Sequence, residues 1–288
     1  MKTQHLITTL VWGSLLLTAA CKEGPKRENA QQETHKAAVQ APVYNTDEPQ
    51  SILASIEFAH GGWNDLWGKK DVEYTYDYRY PSNGKADVST ERYMFDSETS
   101  YGSYEKHEIN VMPETTGQVS QFFNGAETLV MHDGQKVEDP QAAGTGDFLR
   151  RANYFWFVMP YKLNDKGTLA SYQGQEVYDG KSYDKLEVTY DPEITGKEQN
   201  DTYILYVNPE TKLIDRFYFS LPFLGVNDPV IIANYEYEEV DGQMIATKRS
   251  YFMPNDKGEY GEDPSIVQTL SNIKFNNGFT KETILEHP

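Results

Sequence analysis

Residues 72–80 read VEYTYDYRY, and their alternation decides the fold. Val72, Tyr74, Tyr76, Tyr78 and Tyr80 share one parity, while Glu73, Thr75, Asp77 and Arg79 share the other. Successive strand residues point to opposite faces, so this period of two predicts a half-buried antiparallel strand with an aromatic inner side. Ile231, Ala233, Tyr235 and Tyr237 alternate in the same way against Asn234, Glu236 and Glu238. Asn83-Gly84, Asn124-Gly125, Asp133-Gly134, Asp179-Gly180 and Asp241-Gly242 are dipeptides that tolerate the positive φ of a type I′ hairpin turn. Asn208-Pro209-Glu210-Thr211 and Asn255-Asp256-Lys257-Gly258 read as longer turns. The 21 tyrosines and 13 phenylalanines agree with a sheet, because aromatic side chains suit a pleated, half-buried surface. The expected fold is mainly β (α+β): a curved antiparallel meander sheet forming an unclosed barrel, with an N-terminal helix and one inserted helix on its concave face.

Two segments break the period of two. From Pro49, Ile52, Leu53, Ile56 and Ala59 lie on one face of a helix, which Gly61-Gly62 stops. Trp63, Leu66 and Trp67 form a second apolar patch just beyond. Mid-chain, Phe148, Leu149, Ala152, Phe155, Trp156 and Met159 make a helical stripe, with Thr145 or Asp147 placed to cap it and Pro160 to end it near Met159. An aromatic stripe of this kind is most often core. Its functional reading is a helix that lines or lids an apolar cavity, with Arg150 and Arg151 at a polar mouth. The cavity candidates are then Trp63, Trp67, Phe148, Arg151, Phe155, Trp156 and Met159.

The N-terminus reads as an export and anchoring signal. Lys2 gives a basic start, Leu6 to Leu17 an apolar stretch, and Thr18-Ala19-Ala20 small residues before Cys21, the only cysteine. Residues 1–20 are expected to be a signal peptide and Cys21 the site of lipid attachment. The segment resembles a lipobox with Thr18 in place of the usual leucine, and ordinary cleavage after Ala20 is the alternative. Two or three acyl chains would anchor the chain firmly, and no disulfide can form. Residues 21–47 are expected to be the lipidated cysteine and a disordered polar tether with a reach of roughly 30 Å. Lys22-Glu23 partly resembles a surface-export signal, but Gly24 departs from it, and a charge pair in a solvated tether is the better explanation. Residues 48–288 are expected to form a single β domain. The expected location is the cell envelope, lipid-anchored at the outer membrane on its periplasmic face or at the cell surface.

A formal net charge of −18 repels phosphates and anionic headgroups, which excludes nucleic acid and electrostatic docking on membranes. The chain has no H-E-x-x-H, P-loop, C-x-x-C or G-x-S-x-G motif. His60, His107 and His132 show no metal-ligand spacing, and His60 is placed to act as a cation at the C-terminal end of the first helix. The acidic stretches Asp191–Asp201 and Asn255–Asp263 read as solvated turns rather than calcium loops. No catalytic residue, metal ligand or cofactor is assigned.

His60-Gly61-Gly62, the run Asn153-Tyr154-Phe155-Trp156 through Met159-Pro160-Tyr161-Lys162-Leu163, Asp165-Lys166-Gly167, Tyr183-Asp184-Lys185-Leu186-Glu187-Val188 and Asp201-Thr202-Tyr203 resemble the signatures of a Bacteroidota lipoprotein family, a domain with no assigned activity. The layout resembles, in architecture only, the LolA/LppX/RseB lipoprotein-carrier class, whose unclosed barrels hold acyl chains or lipidated proteins. That resemblance implies a LolA-like domain. Three functions follow in order: a non-enzymatic envelope lipoprotein binding a lipid or acylated protein; a surface scaffold lipoprotein with a filled core; and a hydrolase of envelope glycans or lipids using carboxylates that sequence does not single out. The oligomeric state is not legible.

Overall fold

The alternating segment becomes strand β1 (Asp71–Arg79), which lies in the middle of the sheet. The computed structural model describes residues 40–197 and 199–285. Two helices precede β1, α1 (Pro49–Ala59) and α2 (Trp63–Gly68). Then come β2 (Ala86–Met94), β3 (Thr99–His107), β4 (Val119–Phe123), β5 (Thr128–His132) and β6 (Gln135–Lys136). Helix α3 (Pro140–Lys162) leads to β7 (Thr168–Tyr178), β8 (Lys181–Tyr190), a short α4 (Pro192–Thr195), β9 (Tyr203–Val207) and β10 (Ile214–Leu221). A 3-10 turn (Pro222–Leu224) precedes β11 (Val226–Val240), β12 (Gln243–Phe252) and β13 (Ile266–Phe275).

The strands form one antiparallel sheet in the order β6-β5-β4-β3-β2-β1-β13-β12-β11-β10-β9-β8-β7. This is a mainly antiparallel, curved and unclosed sheet with a few helices, as expected. It corrects the single meander in one respect. Two meanders, β1–β6 and β7–β13, join through a long-range seam in which Tyr76 pairs with Leu270 and Tyr78 with Gln268. The I′ reading holds at Asp133-Gly134, Asp179-Gly180 and Asp241-Gly242, where both residues have positive φ; at Asn83-Gly84 and Asn124-Gly125 only the glycine does.

Helix α3 connects the two free edges of the sheet, β6 and β7. At 1.5 Å per residue it spans roughly 34 Å. It is longer than its apolar stripe predicts. Asp139, not Thr145 or Asp147, caps it, accepting a bond of 2.8 Å from the Ala142 amide, with Pro140 in the first turn. It also continues through Pro160 to Lys162, because Val158, Met159, Tyr161 and Leu163 are all buried and packing outweighs the lost amide.

The helix divides the core. Met159 and Leu163 pack with α1 and β8–β12, where Ile52, Leu53, Ile56, Leu205, Phe217 and Ala233 are buried. Tyr154, Phe157, Val158 and Tyr161 pack on the other side with Val72, Tyr74, Tyr93 and Leu270. A third cluster joins Tyr104, Val111, Val119 and Val130 under β3–β5. All three lie within residues 41–288, which form a compact unit with its own core.

That unit begins earlier than the tether reading allowed. Tyr44 donates a 2.6 Å bond to Asp184, lies under the Lys212 ammonium at 3.9 Å, and packs against the core. Residues 41–47 therefore belong to the folded unit, whereas the signal peptide, Cys21 and residues 22–39 lie outside the described residues.

Arg150 also departs from expectation. Its side chain is fully buried, so only Arg151 sits where solvent reaches. The guanidinium makes a bidentate pair with Glu91, also fully buried, at 2.7 and 3.0 Å. It donates further to Tyr104 at 2.7 Å and Gln121 at 3.2 Å. Glu91 in turn accepts from Ser89 and Tyr93, and the Tyr93 hydroxyl meets that of Tyr74 at 2.6 Å. Burial opposes the charge on Arg150, but Glu91 and Tyr104 outweigh it and hold the guanidinium well above its usual range. Gly102 makes room for the pair: a Cβ there would stand 2.5 Å from the Arg150 Nη1.

His60 is not a helix-end cation. It is fully buried, its Nδ1 donates to the Ile56 carbonyl at 2.7 Å, and Nε2 has no partner among the described residues. Gly61 beside it is required, since a Cβ would meet the Gly242 carbonyl at 2.6 Å and φ is +112°. Burial lowers the imidazole to about 4, although the Ile56 carbonyl favours the proton. Because the folded value lies below the unfolded 6.5, protons bind the unfolded chain preferentially as pH falls. Stability from this group is complete above pH 6.5 and drains away towards pH 4. The expected result is that the stability advantage of wild type over His60→Asn shrinks by about 2 kcal/mol between pH 7.5 and 5. Urea denaturation at the two pH values measures it, and an unchanged difference would show that His60 protonates freely.

Candidate ligand-binding cavity

The N-terminal half of α3 is built from small residues, Ala142-Ala143-Gly144-Thr145-Gly146, which cannot fill the space beneath a crossing helix. On one side they allow close approach: a Cβ on Gly146 would stand 2.7 Å from Val130. On the other they leave a cavity of about 750 Å³. Gly144 lies on its wall, and a Cβ there would meet nothing within 4 Å.

The sheet supplies the floor through inward positions of adjacent strands: Tyr203, Phe219, Ile231, Tyr251 and Ile266. The helix supplies Phe148, Ala152, Phe155 and Trp156. Trp156 is the hub, with its ring 5.0 Å from Phe219 and 6.0 Å from Phe217. At the rim Phe148 stacks on Phe223 at 5.2 Å, and Phe223 is 75% exposed, Leu224 59% and Met253 43%. Large apolar side chains left in water around one opening mark it as a place of contact.

The wall's surface is mostly apolar, but charged side chains of both signs, among them Asp147, Asp165, Lys197 and Asp201, also border it. The Tyr190 hydroxyl is buried with no partner among the described residues. Asp201, which accepts from Tyr203 at 3.3 Å, is pushed up by burial. A concave space with a mostly apolar surface and polar groups at its border is the physical form of a small-molecule site.

Of the sequence candidates, Phe148, Arg151, Phe155 and Trp156 meet on this cavity. Met159 is fully buried in the core below it. Trp63 packs on Tyr161 at 5.7 Å and on Trp67 at 5.1 Å, away from the cavity. Trp67 instead borders a second recess of about 520 Å³ on the other flank of α3, shared with Arg151, Tyr154 and Phe155. The sheet residues of the wall escaped the sequence reading. Their signal was present in the strand alternation, but alternation does not separate an inward residue that touches the core from one that touches a void.

The other two histidines among the described residues bond to backbone carbonyls of nearby loops. His107 braces the loop after β3, with Nδ1 3.0 Å from the Val111 carbonyl and Nε2 3.0 Å from that of Gly117, and His132 meets the Thr116 carbonyl at 2.7 Å. In the acidic stretches, Asp191 caps α4 and Asn255 accepts the amides of Lys257 and Glu259. Among the described residues no group of three or more His, Cys, Asp or Glu converges on one point.

Residues 130–255 match the model of DUF6503, a family of unknown function. No curated protein matches the chain. Among solved structures, a domain described as belonging to outer membrane lipoprotein sorting, from Vibrio parahaemolyticus, is similar at 9% identity and a TM-score of 0.45, over 84% of this chain and 97% of that one. A LolA superfamily protein from Nitrosomonas europaea is 15% identical with a TM-score of 0.44, over 77% and 97%. The lipoprotein LppX of Mycobacterium tuberculosis is 12% identical with a TM-score of 0.29, over 81% and 99%. No residue's role is carried over from them.

Proposed function

We propose that this protein is a non-enzymatic envelope lipoprotein, anchored through Cys21, that holds the acyl part of a lipid or of an acylated protein between α3 and the sheet. The observation that carries this reading is the open cavity of about 750 Å³ with an aromatic wall and an exposed apolar rim. Its size suits a small ligand, for which roughly 300–1,000 Å³ is usual. Transfer of each methylene from water into such a wall is worth about 0.8 kcal/mol, so a long chain gains affinity without directed contacts.

Native mass spectrometry with lipid extraction on residues 41–288, purified without harsh detergent, tests it. The expected result is a stoichiometric bound lipid, or one-to-one uptake of added fatty acid. A clean apo mass with no uptake would sink the proposal and leave a surface-interaction role. Trp156→Ala sharpens the test only if folding is measured beside binding, because Trp156 also packs on buried Phe217. Equal loss of both would make it plain core.

A further inference from the structure

The second recess and the first cavity share part of their lining. Arg151, Phe155 and Lys162, all on α3, border both. The two spaces differ in chemistry. The cavity's surface is mostly apolar, although Asp147, Asp165, Lys197 and Asp201 also border it. In the smaller recess polar and apolar surface are nearly balanced, and Asp96 and Glu98 stand with Arg151 and Lys162. Arg150 also reaches the recess but is neutralised by Glu91. The recess therefore presents paired charges of both signs.

Tyr154 sits in its wall, 5% exposed, and its hydroxyl has no hydrogen-bond partner among the described residues. Burial keeps the phenol protonated, and the nearby Glu98, Asp165 and Asp96 carboxylates act in the same direction. Two of those carboxylates, Glu98 and Asp96, border the recess together with Tyr154. Unpartnered buried donors are rare and call for an explanation.

Resting on the acyl-binding reading above, we propose that this recess receives the headgroup of the same amphiphile, and that the headgroup is zwitterionic, carrying one anionic and one ammonium group. Tyr154 and Arg151 face the anionic oxygens, and Glu98 faces the ammonium. The ion pairs now in place yield at little expense: Lys162–Glu98 and Arg151–Asp147 are partly exposed, and such pairs contribute little. A purely anionic headgroup meets two carboxylates here and a chain whose formal net charge is −18.

The test uses residues 41–288 and three probes with one common acyl chain: lysophosphatidylethanolamine, lysophosphatidylglycerol and the free fatty acid. Affinities come from displacement of a fluorescent fatty acid. The zwitterionic probe is expected to bind about tenfold more tightly than the other two, the worth of one or two charge-assisted hydrogen bonds. Tyr154→Phe keeps the ring and removes only an unpartnered hydroxyl, so thermal stability is expected to hold while the tenfold preference collapses towards unity. Equal affinity for the three probes, or a preference that survives Tyr154→Phe, would overturn the headgroup assignment and leave acyl binding intact. Failure of all three probes to bind would overturn both.

Discussion

Arg150→Met is expected to destabilise the folded unit by about 3–5 kcal/mol, the largest loss from any single polar substitution here, because it strands a buried carboxylate. Glu91 would keep only Ser89 and Tyr93 as donors, in a site with no access to water. Glu91→Leu alone should lose a similar amount by leaving the guanidinium with only Tyr104 and Gln121. The double variant should recover most of the loss, since an apolar pair of similar volume removes both desolvation penalties together. Urea denaturation of the four proteins measures the cycle. Additive losses would show that the two side chains do not act as a pair. This contact also decides where α3 lies, because Arg150 is the point at which the helix is tied to β2 and β3.

Gly144→Trp is expected to lower acyl binding at least tenfold while the fold stays as stable as wild type or gains about 0.5 kcal/mol. Glycine inside a helix is unfavourable by up to roughly 1 kcal/mol relative to alanine, and here its missing Cβ faces open space on the cavity wall. Gly144 is exposed at the cavity border one helical turn before Phe148, so an indole there is expected to cover the opening without displacing a core atom. The opposite signs of the two effects separate this test from ordinary core damage. Fatty-acid titration with a thermal melt on the same sample reads both. Unchanged binding would show that the ligand lies elsewhere.

Several parts of this architecture could be read from the chain. Val72–Tyr80 announced its strand because burial on one face enforces alternation. Ile52, Leu53 and Ile56 announced α1 because a helix has one buried stripe. The candidate site was half legible: Phe148, Phe155 and Trp156 stood out as a dense aromatic run, while Phe219, Ile231 and Tyr251 were indistinguishable from other inward strand residues. Arg150 and Arg151 looked alike in sequence, yet their neighbours differ because 100° of helical rotation points one into the sheet and the other towards solvent. His60 misled for a related reason: position on a helix gives the sign of the dipole, whereas burial between Tyr161 and Tyr237 governs the proton.

By itself the sequence determined the local periods, the turn positions and the class of the fold, since each depends on residues a few places apart. The tertiary structure alone decided the β1–β13 seam, the pairing of Arg150 with Glu91 and the cavity between α3 and the sheet. Each of these joins residues far apart in the chain, and their energies come from packing and desolvation that exist only once the sheet has curved around α3.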